Sequence, residues 1–529
     1  MDAQNFNLVD SPWIPISGKG LISLRDLFSD PGIAHLGGNA VDKIVIFRLL
    51  LAIAHASTDI PDKKAWHALS LQQLTKSAAD YLERWHDAFY LHGDRPFLQM
   101  KALSAPNMKK DETWLLRVNA SDNKAMLTEW EWTQRDNDMP DEELAILLLR
   151  QICFACSGYK SFKDEKSGLR SGNYIVLTPG YKGKLKNDSG KAGQLASGTL
   201  LGNGYLHVYF QGGSLLESVK YNLLTDEEIR KLNAFSNGTG RPAWEQMPQG
   251  EACERANNYV KSYQGQLLPL DKFVFIEPGN KKFTVTTGIN YPSQESLLEP
   301  ALIRNEKDKF LVIRQDRRIW RDLTAILSFL TADSKNPTPY FLSFGLPRIR
   351  DCDIETISIW TGGMSVSGTA GVQMLKGRDD YIESSFSFPM ANLGTHGFEV
   401  FKLMMEEMDK YSGILKSAVF KYSKQLQPDV KSPKDNSLGN AIAAKGLAEY
   451  WHAMEQNIQQ VINIAFQEDD NENDNKATID AIYKQWRSEI ASIYDKQCPH
   501  TTSRQLLAWS DARPFSPQNK NLIKTKDHK

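Results

Sequence analysis

The hydrophobic pattern of this chain changes character twice. It opens with NLVDSPWIPISGKGLISLRDLFSD, which predicts two short strands joined by a glycine turn and then a helix. Residues 42–56 and 62–92 predict amphipathic helices; in the first, Ile44, Phe47, Leu51 and Ala54 recur at helical spacing. A further helix is predicted from Asp141 to Ala155, with Pro140 beside its start. From Ser157 to about Gly213 the chain is rich in Gly, Ser, Lys and Asn and reads as loops with short strands. Short strands continue to about residue 390 in FVFIEP, KFTVTTG, FLVIRQ and SFSFP, interrupted by a helix predicted from Arg318 to Ala332.

After about Ala391 the pattern is wholly helical. Phe398, Phe401, Met405, Met408 and Leu415 form one stripe; Leu447, Tyr450, Met454, Ile458 and Ile462 form a second; Ile479, Ile482, Tyr483, Trp486, Ile490 and Ile493 form a third. A fourth, shorter helix begins near Ser503. Polar linkers, QLQPDVKSPKDNS and QEDDNENDNK, separate the stripes. The predicted fold class is α+β: a large irregular mixed domain over 1–390 followed by a four-helix bundle over 391–529.

Composition narrows the function. The 529 residues exceed what one ordinary core holds. Lys and Arg total 63 against 64 Asp and Glu, a net charge of -1, so DNA held by bulk charge is excluded and any nucleic-acid contact rests on local patches. Five cysteines, an odd and sparse set, fit a reducing cytoplasm. Cys153 and Cys156 form C-x-x-C, but no second ligand pair lies near, and small buried side chains explain them better than zinc or redox chemistry. The start lacks a signal peptide's basic and apolar regions, and the longest apolar runs are too short to span a bilayer, so no membrane association is expected.

The strongest local patch is Lys160–Lys191. Lys160, Lys163, Lys166, Arg170, Lys182, Lys184, Lys186 and Lys191 stand against only Asp164, Glu165 and Asp188, with glycines interleaved. Glycine lets backbone approach a phosphate without a Cβ clash, and lysine supplies charge. A solvated surface loop has the same composition. Lys410, Lys416, Lys421 and Lys424 repeat along the first bundle helix; they suit a strand-binding track or, more commonly, a solvated face. No H-E-x-x-H, G-x-S-x-G or G-x-x-x-x-G-K-[ST] motif occurs, and the ten histidines are scattered, so an enzyme is not expected. A nuclease with an unrecognised metal site and a protein-only adaptor are the competing readings.

Several features in order along the chain resemble the large-subunit (CasA) family of the type I-E CRISPR complex Cascade. They are Trp13-Ile14-Pro15 before SLRDLF, the stretch Phe89–Gln99, Lys166–Gly172, Arg241-Pro242-Ala243-Trp244-Glu245, Lys282-Phe283-Thr284-Val285, and Gly362-Gly363-Met364 followed by Asp379-Asp380. The resemblance implies a non-catalytic, cofactor-free, metal-free cytoplasmic subunit. Its partners would be crRNA, the other Cascade subunits, double-stranded target DNA and a helicase-nuclease recruited after R-loop formation. Protein would read only the short flank of the target, the PAM, while guide RNA reads the rest by pairing.

The resemblance also assigns roles. Gly158 with Lys160, Lys163, Lys166 and Arg170 would approach the PAM. Lys282, with Lys281 as the alternative, would enter the minor groove, where A·T pairs offer acceptors. An edge-strand lysine that discourages aggregation is the plainer reading of that position. Gly368, Thr369, Ala370 and Gln373 would form a wedge hairpin that replaces base stacking; the family's glutamine tip is displaced here to Gln373, and an ordinary glycine-rich hairpin fits as well. Met126, Leu127 and Thr128 would dock on the crRNA and the Cascade backbone, or pack in a core.

Overall fold

A computed structural model describes residues 6–104, 139–154, 204–278, 283–289, 291, 299–305, 309–314, 317–331, 338–365, 381–430, 432, 434–467 and 472–516. The chain divides into two compact units, Met1–Ile319 with Lys335–Ser385, and Trp320–Ser334 with Phe386–Lys529.

The first unit opens as the sequence predicts. β1 (Ile14–Ile16) pairs antiparallel with β2 (Gly20–Ile22), and α1 (Leu24–Ser29) follows. Gly18 and Gly20 take φ of +76° and +88° at the turn, a conformation L side chains resist. Asn39 caps α2 (Ala40–Ser57), accepting from the amides of Val41 and Asp42. This helix differs from the amphipathic reading. Residues on every face of it are buried, because it packs against α4 (Leu71–Arg84), α5 (Asp141–Phe154) and further elements of the unit. An element enclosed on all sides has no polar face to preserve.

The predicted helix over 62–92 is broken into α3 (Lys63–Ala68), α4 and a 3₁₀ turn at His86–Phe89. Ser70 starts α4 with a reciprocal box: its hydroxyl accepts from Gln73 N–H, and the Gln73 side chain returns to the Ser70 amide. Past α4 the N-terminal segment engages the chain, with Leu8 N–H donating to Phe89 O at 3.0 Å and Asn7 Nδ2 to His86 O at 3.0 Å.

Two sheets lie further along. β3 (His207–Gln211) pairs antiparallel with β6 (Thr356–Met364), which in turn neighbours β7 (Tyr381–Pro389). β4 (Lys272–Ile276) pairs antiparallel with β5 (Phe283–Thr287). Of FLVIRQ, Phe310 and Val312 form only isolated bridges, to Arg304 and Tyr205. Between the strands lie helices that hydrophobic periodicity did not predict: α6 (Leu215–Tyr221), α7 (Asp226–Lys231), α8 (Glu254–Val260), α9 (Tyr263–Leu267) and α10 (Tyr340–Ile349). Most span too few turns to show a period; only the capping pairs Ser214/Glu217 and Thr225/Glu228 mark two of them.

The second unit holds four long or medium helices among its described residues: α11 (Thr395–Leu426), α12 (Ser437–Phe466), α13 (Glu472–Gln497) and α14 (Ser503–Ala512). The first predicted stripe is buried throughout; in the others Leu447, Ile479 and Tyr483 are half-buried and the rest are buried. α11 packs against the other three helices. Trp320–Ser334 also belongs to this unit, with the Arg321 guanidinium 3.7 Å from the Trp451 ring. The single helix predicted there is instead a 3₁₀ turn, one α-turn at Leu323–Ile326 and a second 3₁₀ turn at Ser328–Leu330. The hydroxyls of Ser328 and Thr331 bond back to Ala325 O and Ser328 O, an alternative to continued helix.

Candidate nucleic-acid interface

The candidate segments lie outside the described residues, but the elements at their ends are defined. Gly158, Lys160, Lys163, Lys166 and Arg170 fall in 155–203, which joins α5 to the approach to β3. Met126, Leu127 and Thr128 fall in 105–138, between a 3₁₀ turn at Lys101–Ser104 and α5. Lys281 and Lys282 directly precede β5. Gly368, Thr369, Ala370 and Gln373 fall in 366–380, between β6 and β7.

α5 is fixed at both ends. Arg150 pairs with Asp42, which itself belongs to the N-terminal cap of α2. At the other end His92 Nε2 lies 3.2 Å from Asp141 Oδ1. Cys153 is buried in this helix, and burial pushes its thiol pKa up to about 12, which disfavours the thiolate that redox or metal chemistry requires. Cys156 lies outside the described residues, and among those described no cluster of three metal-capable side chains occurs.

β4 and β5 form a stem with a definite register: Lys272 faces Thr287, and Ile276 faces Phe283. The connection 277–282 therefore closes the hairpin, with both lysines at its β5 end. The ladder continues at the root, where Gly288 N–H donates to Asp271 O and Ile289 N–H to Leu270 O, each at 2.7 Å. Every residue of β4 is buried. Its outer edge is also engaged: Met100 N–H donates to Val274 O at 2.8 Å, and Ile276 N–H donates to the Gln99 side chain at 2.7 Å.

The stem of the second candidate is held through Glu383 on β7. Its carboxylate accepts from Lys43 Nζ at 2.7 and 2.8 Å and from Trp360 Nε1 at 2.9 Å, joining α2, β6 and β7. Tyr209 is the register partner of Trp360 and meets Phe47 edge-on at 4.8 Å. A half-open cavity of about 70 Å³ lies here, lined by Leu36, Lys43, Phe47, Tyr209, Gln211 and Trp360 among others.

The bundle lysines do not form one row. At about 100° per residue, Lys410, Lys421 and Lys424 fall within about 60° of one another around α11, while Lys416 lies about 120° from Lys410. Lys410 pairs with Glu407 at 3.0 Å, and Lys421 donates to the Asp511 carbonyl.

Several residues that carried the sequence resemblance turn out to be structural anchors. Trp13 is fully buried and donates to Leu8 O at 2.9 Å. Trp244 donates to Tyr81 Oη at 2.8 Å and packs against Phe89 and Phe97. Gln99 is buried with both ends of its amide bonded.

The family model for the CRISPR-associated protein Cse1 matches residues 7–495. Thermobifida fusca Cse1 has a similar structure, with TM-score 0.70 and 16% identity over 97% of this chain and 96% of that one. Thermus thermophilus CasA (Cse1) gives TM-score 0.65 and 17% identity over 96% and 97%. A chain of a CRISPR RNA-guided surveillance complex gives 0.66 and 16% over 96% and 98%. None of the curated protein sequences matches. Because the family model spans nearly the whole sequence, and one of the similar structures carries both family names, the chain belongs to the Cse1 family of CRISPR-associated proteins, also called CasA.

Proposed function

We propose that this chain is the non-catalytic large subunit of a type I-E Cascade complex and grips the PAM-containing flank of double-stranded target DNA. The observation that carries the reading is the family match over residues 7–495. A structure named as a CRISPR RNA-guided surveillance complex contains a chain of the same fold, which supports crRNA and sister subunits as partners. The cytoplasm, where guide RNA and invading DNA meet, is the expected compartment; no helix among the described residues is long and apolar enough to cross a membrane.

In this reading the mixed unit supplies three contacts. The glycine- and lysine-rich segment around Gly158–Arg170 and the pair Lys281 and Lys282 neutralise phosphates and enter the minor groove. The segment with Gly368, Thr369, Ala370 and Gln373 separates the first base steps, at a cost of about a few kcal/mol per step, so that guide pairing can propagate into an R-loop. Met126–Thr128 dock the subunit on crRNA and the Cascade backbone. The opened complex then recruits a helicase-nuclease. The placement of two of these segments between neighbouring strands favours this division: a wedge or a probe works against a stiff stem.

The test is an assembled complex with guide RNA, titrated with target duplexes bearing a correct or scrambled flank. Charge reversal at Lys281 and Lys282 lowers affinity for the correct flank and the discrimination between the two. Replacing Thr369, Ala370 and Gln373 by serine reduces permanganate-reactive thymines next to the flank more than it reduces first binding. Unchanged discrimination in the first variant refutes the assignment of those lysines. Magnesium- or manganese-dependent cleavage by the isolated chain refutes the non-catalytic role.

A further inference from the structure

The cavity beside Trp360 is lined by rings and edged by polar groups. Leu36, Phe47 and Tyr209 are buried in it, Trp360 and Gln211 are half-buried, and Ala34 and His35 are exposed at its mouth. Tyr209 meets Phe47 edge-on at 4.8 Å and lies 6.0 Å from Trp360, tilted by 31°. Main chain holds the segment that carries Ala34 and His35: Leu215 N–H donates to Ile33 O at 2.8 Å, Ser17 N–H to His35 O at 3.1 Å, and Gly37 N–H to Pro15 O at 2.8 Å. The space is therefore preformed, as ligand sites usually are.

Its rim keeps hydrogen-bonding capacity in reserve. Lysine has three N–H donors, and Lys43 spends two on Glu383, leaving the third without a bond among the described residues. An amide nitrogen only donates, so Gln211 Nε2 gives its bond to His35 Nδ1 at 2.9 Å, and Gln211 Oε1 accepts none among the described residues. A donor and an acceptor thus stand beside apolar rings. The charge of Lys43 is already balanced by Glu383, so a phosphate gains little here. An aliphatic side chain would fill the space, but it would strip water from both groups and return no bond, which is costly for buried polar atoms. What fits is a neutral flat ring with donors and acceptors on its edge. Nucleic acid is the partner already proposed, and its unpaired bases are such rings.

We propose that this cavity is a seat for one unpaired base of a single strand. The ring lies against Trp360 and Tyr209, and the sugar and phosphate stay outside. The N3–H of a uracil or thymine donates to Gln211 Oε1, and a neighbouring carbonyl of the base accepts from Lys43 Nζ. This rests on the nucleic-acid partner of the proposed function and not on the segments assigned to the flank.

The experiment irradiates the full-length subunit with a pentanucleotide of 5-iodo-2′-deoxyuridine and maps the crosslinked residues by mass spectrometry. The unsubstituted subunit crosslinks at Trp360 or Tyr209. Ala34→Trp sets an indole across the mouth from an exposed position and lowers the yield at those residues at least about fivefold, the loss of one stacked base. Gln211→Leu keeps the bulk, removes the acceptor and lowers the yield severalfold. Each variant is also assembled with guide RNA and the sister subunits to compare its incorporation.

Crosslinks confined to other residues, or a yield at Trp360 and Tyr209 that Ala34→Trp leaves unchanged, overturn the inference. A higher yield in Gln211→Leu overturns it too, because the cavity would then favour a purely apolar occupant. Absence of crosslinking here, together with poorer incorporation of Ala34→Trp into the complex, assigns the cavity to a side chain of a sister subunit instead. The probe carries no flank, so each of these results stands whether or not the complex discriminates correct from scrambled flanks. Where Ala34→Trp does not fold, His35→Trp, also exposed at the mouth, gives the same comparison.

Discussion

Replacing Arg48 by methionine would remove one charge from an ion pair enclosed within the first unit. Arg48 is fully buried on α2, and Glu299 is 2% exposed. The guanidinium donates to Glu299 Oε1 at 2.8 Å and Oε2 at 3.2 Å, to Leu267 O at 2.8 Å, and to Gln266 O. Burial opposes its charge, yet Glu299 beside it holds the arginine pKa above its ordinary value. Methionine fills much of the same volume and leaves the carboxylate, among the described residues, to the Gln266 amide, which donates to Oε2 at 3.2 Å. Breaking a buried pair on one side costs about 3–5 kcal/mol, because the remaining charge is uncompensated. At about 2.1 cal/mol/K per residue, that loss lowers the melting temperature of a unit of this length by about 4–6 °C. The double variant Arg48→Met/Glu299→Gln removes both charges and recovers most of the loss. Urea unfolding followed by tryptophan fluorescence and far-UV circular dichroism measures all three proteins. A single variant within 1 kcal/mol of the original, or a double variant no better than the single, refutes the reasoning.

Asp271 is buried, and burial raises its carboxyl pKa to about 7. The folded state therefore holds a proton that the unfolded chain releases above about pH 4, and stability falls as pH rises from there to about 7. Asp271→Asn raises the melting temperature at pH 8 and not at pH 4, with at most about 4 kcal/mol at stake; equal effects at both values contradict this. His55 and His207 act oppositely, since burial lowers each pKa to about 3. Their contribution is present above about pH 6.5 and is lost as pH falls toward 3, so His207→Gln flattens the acid side of the stability profile measured by thermal unfolding. Gly413 is exposed within α11 with open space where a Cβ would sit, so Gly413→Ala stabilises the bundle by about 0.8–1 kcal/mol in urea titration. Gly265→Ala places a Cβ against the Tyr259 carbonyl and lowers the melting temperature of the first unit strongly; a neutral result would show that α9 can shift.

The bundle was legible in the amino-acid pattern because its helices each bury one stripe. Phe398, Met408, Tyr450 and Trp486 lie where a 3.6-residue period places them, and that period is a local property of the chain. The strands of the β4–β5 stem and the family resemblance were likewise readable, through FVFIEP and KFTVTTG and through anchors such as Trp13 and Trp244. Tertiary structure decided the rest. It enclosed α2 on all sides, divided 62–92 at the Ser70 cap, and gathered Trp320–Ser334 with the bundle. It also made the supports of the candidate interface. Lys43 meets Glu383 across 340 positions, Arg48 meets Glu299 across 251, and Gln99 meets Ile276 across 177. No periodicity or spacing encodes such pairs. Each partner alone reads as an ordinary polar residue, and only the packed chain brings a donor, an acceptor and the exclusion of water to one place.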